Sequence, residues 1–150
     1  MDRAPQRHLD VHAGIEDALS LLANKINNNI QVKRQYAEKL PLLKVQGSEL
    51  NQVWTNLIDN AIEAMQDNGI LTISTRHKDS FLVVEIADNG KGIPEEIQSR
   101  IFEPFFTTKD TGHTGLSLDV VHRIISGHYN GRIDLIQNPV QRFLKFTSRL

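Results

Sequence analysis

The order of helical and extended segments in these 150 residues calls for an α+β fold. It is a two-layer α/β sandwich, in which a mixed, mostly antiparallel sheet packs against helices on one face. Three observations lead there. Helical periodicity recurs in three separated stretches, around Ile15 to Ile26, Leu50 to Ala64 and Leu116 to Ile125. Extended runs come in neighbouring pairs, divided by turn signals such as Lys78-Asp79. Paired strands close as hairpins, whereas strict βα alternation would build a parallel sheet.

Residues 1–13 read as a polar lead-in, with the domain proper over 14–150. A helix is expected from Gly14 to Asn27, since Ile15, Ala18, Leu19, Leu22 and Ile26 share one face; Asn27-Asn28-Asn29 breaks it. Ile30, Val32 and Arg34 alternate with polar neighbours and predict a strand up to Tyr36. A short extended piece follows Pro41 and ends at Gly47. Ser48 suits an N-cap for a helix reaching Met65, with Leu50, Val53, Trp54, Leu57, Ala61 and Ala64 as its apolar stripe. Asn68-Gly69 turns the chain into a strand from Ile70 to Arg76, and Phe81 to Ala87 returns antiparallel. Pro94 can open a short helix over Glu95 to Arg100, and residues 103–114 read as irregular. A last helix begins near Leu116 and is closed by Gly127, before two strands at Arg132–Ile136 and Arg142–Ser148.

Composition narrows the function classes. With 39% apolar and 23% charged residues, the chain can build a core and is not a disordered segment. A net charge of −1 supplies no electrostatic attraction for nucleic acid. The absence of cysteine excludes a disulfide framework and a thiolate metal site, and suits a reducing compartment. Apolar runs such as Phe81-Leu82-Val83-Val84 fall far short of a membrane span, and Met1-Asp2-Arg3-Ala4-Pro5 lacks the apolar core of a signal peptide. The expectation is a cytoplasmic domain, monomeric in isolation, whose parent protein is free to be membrane-associated.

Chemistry concentrates in two segments. Asn56 and Asn60 stand at i and i+4, so a helix projects both carboxamides from one face without adding charge. Asp88-Asn89-Gly90-Lys91-Gly92-Ile93-Pro94 then joins a carboxylate at a strand end to two glycines, where backbone can close on a flat ligand. Amides for a metal and its phosphates, with an acid to read a base, suggest an ATP site. No Gly-x-x-x-x-Gly-Lys-Ser/Thr loop is present, so such a site is built without a Walker motif. Asp59 and Glu63, also i and i+4, read as a solvated helix surface.

These residues resemble the ATP-binding catalytic domain of sensor histidine kinases, within the wider group of gyrase, MutL-type and heat-shock chaperone ATPases. Residues 51–65 are similar to the family's asparagine box and 88–94 to its first glycine box. Ile101-Phe102-Glu103-Pro104-Phe105-Phe106-Thr107-Thr108-Lys109 matches the phenylalanine box. Gly112-His113-Thr114-Gly115-Leu116-Ser117-Leu118 approximates the second glycine box. The resemblance implies a Bergerat-type fold that binds Mg·ATP. In it Asn60 ligates Mg²⁺, Asn56 lines the phosphate wall, and Asp88 accepts a hydrogen bond from the adenine amino group. Gly90, Gly92 and Ile93 pass close to the base. Phe105 and Phe106 form a lid, Thr108 and Lys109 lie near the phosphates, and Gly112, Thr114, Gly115 and Leu116 complete the phosphate end. A helix opening at Gly115 would offer free N–H groups to the triphosphate.

Two departures matter. His113 and Ser117 stand where the family pattern has glycines, which narrows the approach to the phosphates. None of the six histidines is followed by the acidic residue and Asn-Pro run of a phosphoacceptor box. The resemblance therefore implies a domain that donates the γ-phosphoryl group to a histidine on a separate dimerisation hairpin. His8 and His12 sit at the handover to it, and a response regulator acts downstream. The alternative is a non-catalytic nucleotide-binding module with an impaired second glycine box. An ATP-driven clamp would need a general base at Asn56, which a carboxamide cannot provide.

Overall fold

The computed structural model describes residues 6–26, 28–46, 49–66, 68–90, 118–128, 131–137 and 141–150. Strand β1 (Gln6–Leu9) leads into helix α1 (Val11–Leu21), strand β2 (Ile30–Gln35) and strand β3 (Leu43–Gln46). Helix α2 (Leu50–Met65) precedes the hairpin of β4 (Gly69–Lys78) and β5 (Phe81–Asp88). Helix α3 (Leu118–His128), β6 (Gly131–Gln137) and β7 (Arg142–Arg149) follow. The main sheet has five strands in the order β2-β4-β5-β7-β6. Among the described strands of this sheet, only β2 and β4 run parallel. The mixed, mostly antiparallel sheet with helices against it is the architecture expected from the sequence.

Within the stretch read as a polar lead-in, residues 6–9 form a strand that the sequence reading did not include. β1 pairs antiparallel with β3, Gln6 opposite Gln46 and Leu9 opposite Leu43. Its polar residues give no hydrophobic period, so backbone pairing rather than burial defines this strand. Asp10 accepts a hydrogen bond from Ala13 N at 3.2 Å, and this N-cap starts α1 at Val11 instead of Gly14. The helix also stops earlier than Asn27. Leu22 O accepts from both Lys25 N and Ile26 N, at 2.9 and 3.0 Å, in a tight turn after Leu21. His12, placed by sequence at the handover to a hairpin, is half-buried against β4 and the segment after β2. Its Nε2 lies 2.7 Å from Thr75 Oγ1, and its ring stacks 4.3 Å from that of Tyr36.

Smaller shifts have local causes. Ser48 lies outside the described residues, and Glu49 precedes α2 without a side-chain cap. Gln66 ends that helix in the left-handed region at φ 51°. The β4–β5 turn is Asp79-Ser80, with Asp79 at φ 55° and Lys78 paired to Phe81. Helix α3 extends through Gly127 to His128 rather than closing there. The short helix expected over Glu95 to Arg100 lies outside the described residues.

The sheet's core-facing rungs position everything that follows. Leu82 pairs with Ser148, Val84 with Phe146, Ile86 with Leu144 and Asp88 with Arg142 across β5 and β7. Because side chains alternate along a strand, these four pairs share one face. Val84, Phe146, Ile86 and Leu144 join Trp54, Leu57, Ile58 and Ala61 of α2 in the buried core. Trp54 and Phe146 meet edge-to-face at 5.2 Å, an arrangement favoured by the ring quadrupoles. The last rung on that face is an acid opposite an arginine. If Asp10 caps α1 as found, Asp10→Ala should cost about 1 kcal/mol in urea unfolding. An unchanged midpoint would return the helix start to Gly14.

Candidate functional site

Asp88 ends β5 with 1% of its surface exposed. Its Oδ1 accepts the Gly90 N–H at 3.0 Å, which bends the chain directly after the strand. Asn89 holds the same turn from the other side, accepting Ile70 N–H at 2.9 Å. Gly90 passes so close to the end of α2 that a Cβ there would sit 2.3 Å from Ala64 O. Backbone cannot yield to such an atom, so glycine is required at this point. The requirement is one of space against α2, in addition to any room needed for a ligand.

Helix α2 brings the carboxamide of Asn60 to the same end of the sheet. Asn56 is fully buried and Asn60, one turn on, is half-buried. Asn60 Oδ1 accepts a hydrogen bond from Arg142 Nη2 at 2.8 Å. The same guanidinium reaches Asp88 Oδ2 through Nε at 2.9 Å and Nη2 at 2.8 Å. Arg142 is only 4% exposed. One buried cation therefore ties the strand-end acid to the helix amide. Burial is the largest influence on the Asp88 carboxyl and pushes its pKa up; the Arg142 charge and the Gly90 N–H draw it back only in part.

Asp59 contradicts the solvated surface expected for it. It is fully buried, and its Oδ1 pairs with Lys25 Nζ at 2.7 Å. That bond, with the charge behind it, raises the Lys25 pKa. Asp59 Oδ2 has no hydrogen-bond partner among the described residues. Glu63, one turn along, is half-buried. The reason is the turn after α1, which folds back over this side of α2 and carries Lys25 to the acid.

The structure thus brings together Asn60, Asp88 and Gly90, linked through Arg142 and the strand-end turn, and buries Asn56 one turn earlier on α2. Gly92, Ile93, Phe105, Phe106, Thr108, Lys109, Gly112, His113, Thr114, Gly115, Leu116 and Ser117 lie outside the described residues. Sequence reasoning missed Arg142. The signal was its parity: it stands two and four positions before Leu144 and Phe146, on the apolar face of its strand. With Arg142 in this position, Asn60 Oδ1 is not open to a Mg²⁺ ion. The oxygen it would use already accepts from a guanidinium, whose charge opposes a dication beside it. No group of three or more His, Asp or Glu suited to a metal occurs among the described residues.

Residues 46–150 match the family described as histidine kinase-, DNA gyrase B- and HSP90-like ATPases. This chain belongs to that family. Sporulation kinase A of Bacillus subtilis (strain 168) is 36% identical over 137 residues, 91% of this chain and 22% of the relative's length. The catalytic domain of histidine kinase ThkA, in a nucleotide-free form, is similar at 30% identity and a TM-score of 0.83, over 99% of this chain and 96% of that one. ThkA in complex with the response regulator protein TrrA matches at 27% identity and a TM-score of 0.79, covering 96% of this chain and 41% of that one.

The raised Asp88 pKa sets a pH dependence. The folded state holds this proton to higher pH than the unfolded chain, whose carboxyl titrates at about 3.9. Its contribution to stability is complete below that value and is lost as pH rises through the folded pKa. Urea unfolding of wild type, compared with Asp88→Asn, should show a stability difference that falls as pH increases above about 4. A difference that grows with pH would mean that Arg142 outweighs desolvation.

Proposed function

We propose that this chain is the nucleotide-binding, phosphoryl-donating domain of a histidine kinase. It binds ATP and gives the γ-phosphoryl group to a histidine on a separate dimerisation hairpin, from which a response regulator receives it. The observation that carries this reading is the buried carboxylate at the end of β5, set beside the carboxamide of Asn60 in a domain of the ATPase family.

The chemistry is consistent with the parts. Asp88 is an acceptor in a site shielded from water, so it favours a base edge that carries an amino group. Guanine would turn a carbonyl toward it, setting two acceptors face to face. Transfer forms a bond between an imidazole nitrogen and the γ-phosphorus while the bond to the bridging oxygen of ADP breaks. The domain's share is positioning and electrostatic stabilisation, since the accepting histidine belongs to the hairpin. The likeness to the ThkA catalytic domain supports the kinase reading, and ThkA's complex with the response regulator protein TrrA supports the assignment of that partner.

A second reading is a non-catalytic nucleotide-binding module. The Arg142 bridge favours it, because the groups assigned to base and metal are already engaged.

Calorimetric titration with ADP and ATP tests the shared core of both. Asp88→Asn should weaken binding about tenfold or more, the value of one charged hydrogen bond. Transfer of labelled phosphate from ATP to the hairpin, joined to this domain, then supports the kinase. Binding without transfer supports the module, and no binding at millimolar nucleotide contradicts both.

A further inference from the structure

The bridge between Asp88, Arg142 and Asn60 resembles a site that has been filled rather than one that waits. Asp88 uses Oδ1 on the Gly90 N–H and Oδ2 on two guanidinium nitrogens. Asn60 gives its carboxamide oxygen to the same cation. Arg142 is directly opposite Asp88 in the β5–β7 register, so sheet pairing delivers it there. Its planar fork suits a two-point grip on a carboxylate, and 4% exposure means that this charge is satisfied by protein.

We infer that Arg142 is an internal competitor for adenine nucleotide: its guanidinium occupies both the acid that reads the base and the amide at the metal end, and nucleotide binds only as it withdraws. The inference rests on the nucleotide-site reading above and adds how that site is regulated. Removing the contact to Asp88 frees one carboxylate oxygen for an amino donor. Removing the contact to Asn60 frees its carboxamide oxygen and takes a positive charge from beside it. Affinity is reduced by the fraction of molecules in which the arginine is released, so a released fraction of about 1% weakens binding about a hundredfold.

The direction expected is opposite to that of an ordinary binding arginine. Arg142→Ser should bind ADP at least about tenfold more tightly than wild type. Its gain from added Mg²⁺ should also exceed that of wild type, because the amide oxygen is no longer shared. Loss of the arginine leaves Asp88 buried without a counter-charge, which destabilises the fold. Arg142→Gln therefore serves as a second variant, keeping a neutral donor beside the acid.

Both variants would be measured by calorimetry below their melting points, with and without Mg²⁺. In parallel, the Nε–H resonance of Arg142 would be followed in labelled wild-type protein as ADP is added. Tighter binding by either folded variant, with a shift or loss of that resonance at saturation, supports the competitor. Equal binding by wild type and variants, with the resonance unmoved, leaves the nucleotide site standing and overturns the competitor. Weaker binding by the variants overturns it too, and makes Arg142 a direct ligand contact. Absence of binding in all three proteins removes the nucleotide site, and the competitor with it.

Discussion

A single buried guanidinium, shared between a strand-end carboxylate and a helix carboxamide, holds the functional end of this domain together. Asp88 and Arg142 close the last core-facing rung of β5 and β7, below rungs filled by Ile86 with Leu144 and Val84 with Phe146. Burying either charge alone would be costly, and breaking such a pair typically costs about 3–5 kcal/mol. The bond from Arg142 to Asn60 then fixes α2 relative to the sheet. The same three residues therefore decide how the helix layer meets the strand layer and what the site presents to a ligand.

Much of this was legible in the sequence because it has local causes. Three helical periods and two strand pairs follow from side-chain spacing, which does not depend on the rest of the chain. The carboxamide pair, the strand-end acid and Gly90 were readable for the same reason. β1 was not, since a polar strand is defined only by its pairing with β3. Asp59 misled because its i, i+4 relation to Glu63 describes α2 alone, whereas its burial depends on Lys25 from another element. Arg142 is the instructive omission. Its parity with Leu144 and Phe146 placed a charge on the buried face, but only strand register shows that it lies opposite Asp88.

Membership in the ATPase family and a shared fold place the domain among histidine kinase catalytic domains. Within that frame, the inferred role of Arg142 changes what the site can do. On that inference, the site has two states, closed by its own arginine or opened to nucleotide. A ligand shifts such an equilibrium only by binding one state better than the other. Binding strength is then set as much by the internal contact as by the nucleotide.

The most direct test is a structure of the domain with bound ADP, compared with the nucleotide-free protein. The account requires the adenine amino group within hydrogen-bonding distance of an Asp88 carboxylate oxygen, and the Arg142 guanidinium turned away from both Asp88 and Asn60. A base seated elsewhere, or bound with the arginine still bridging the two, would contradict it.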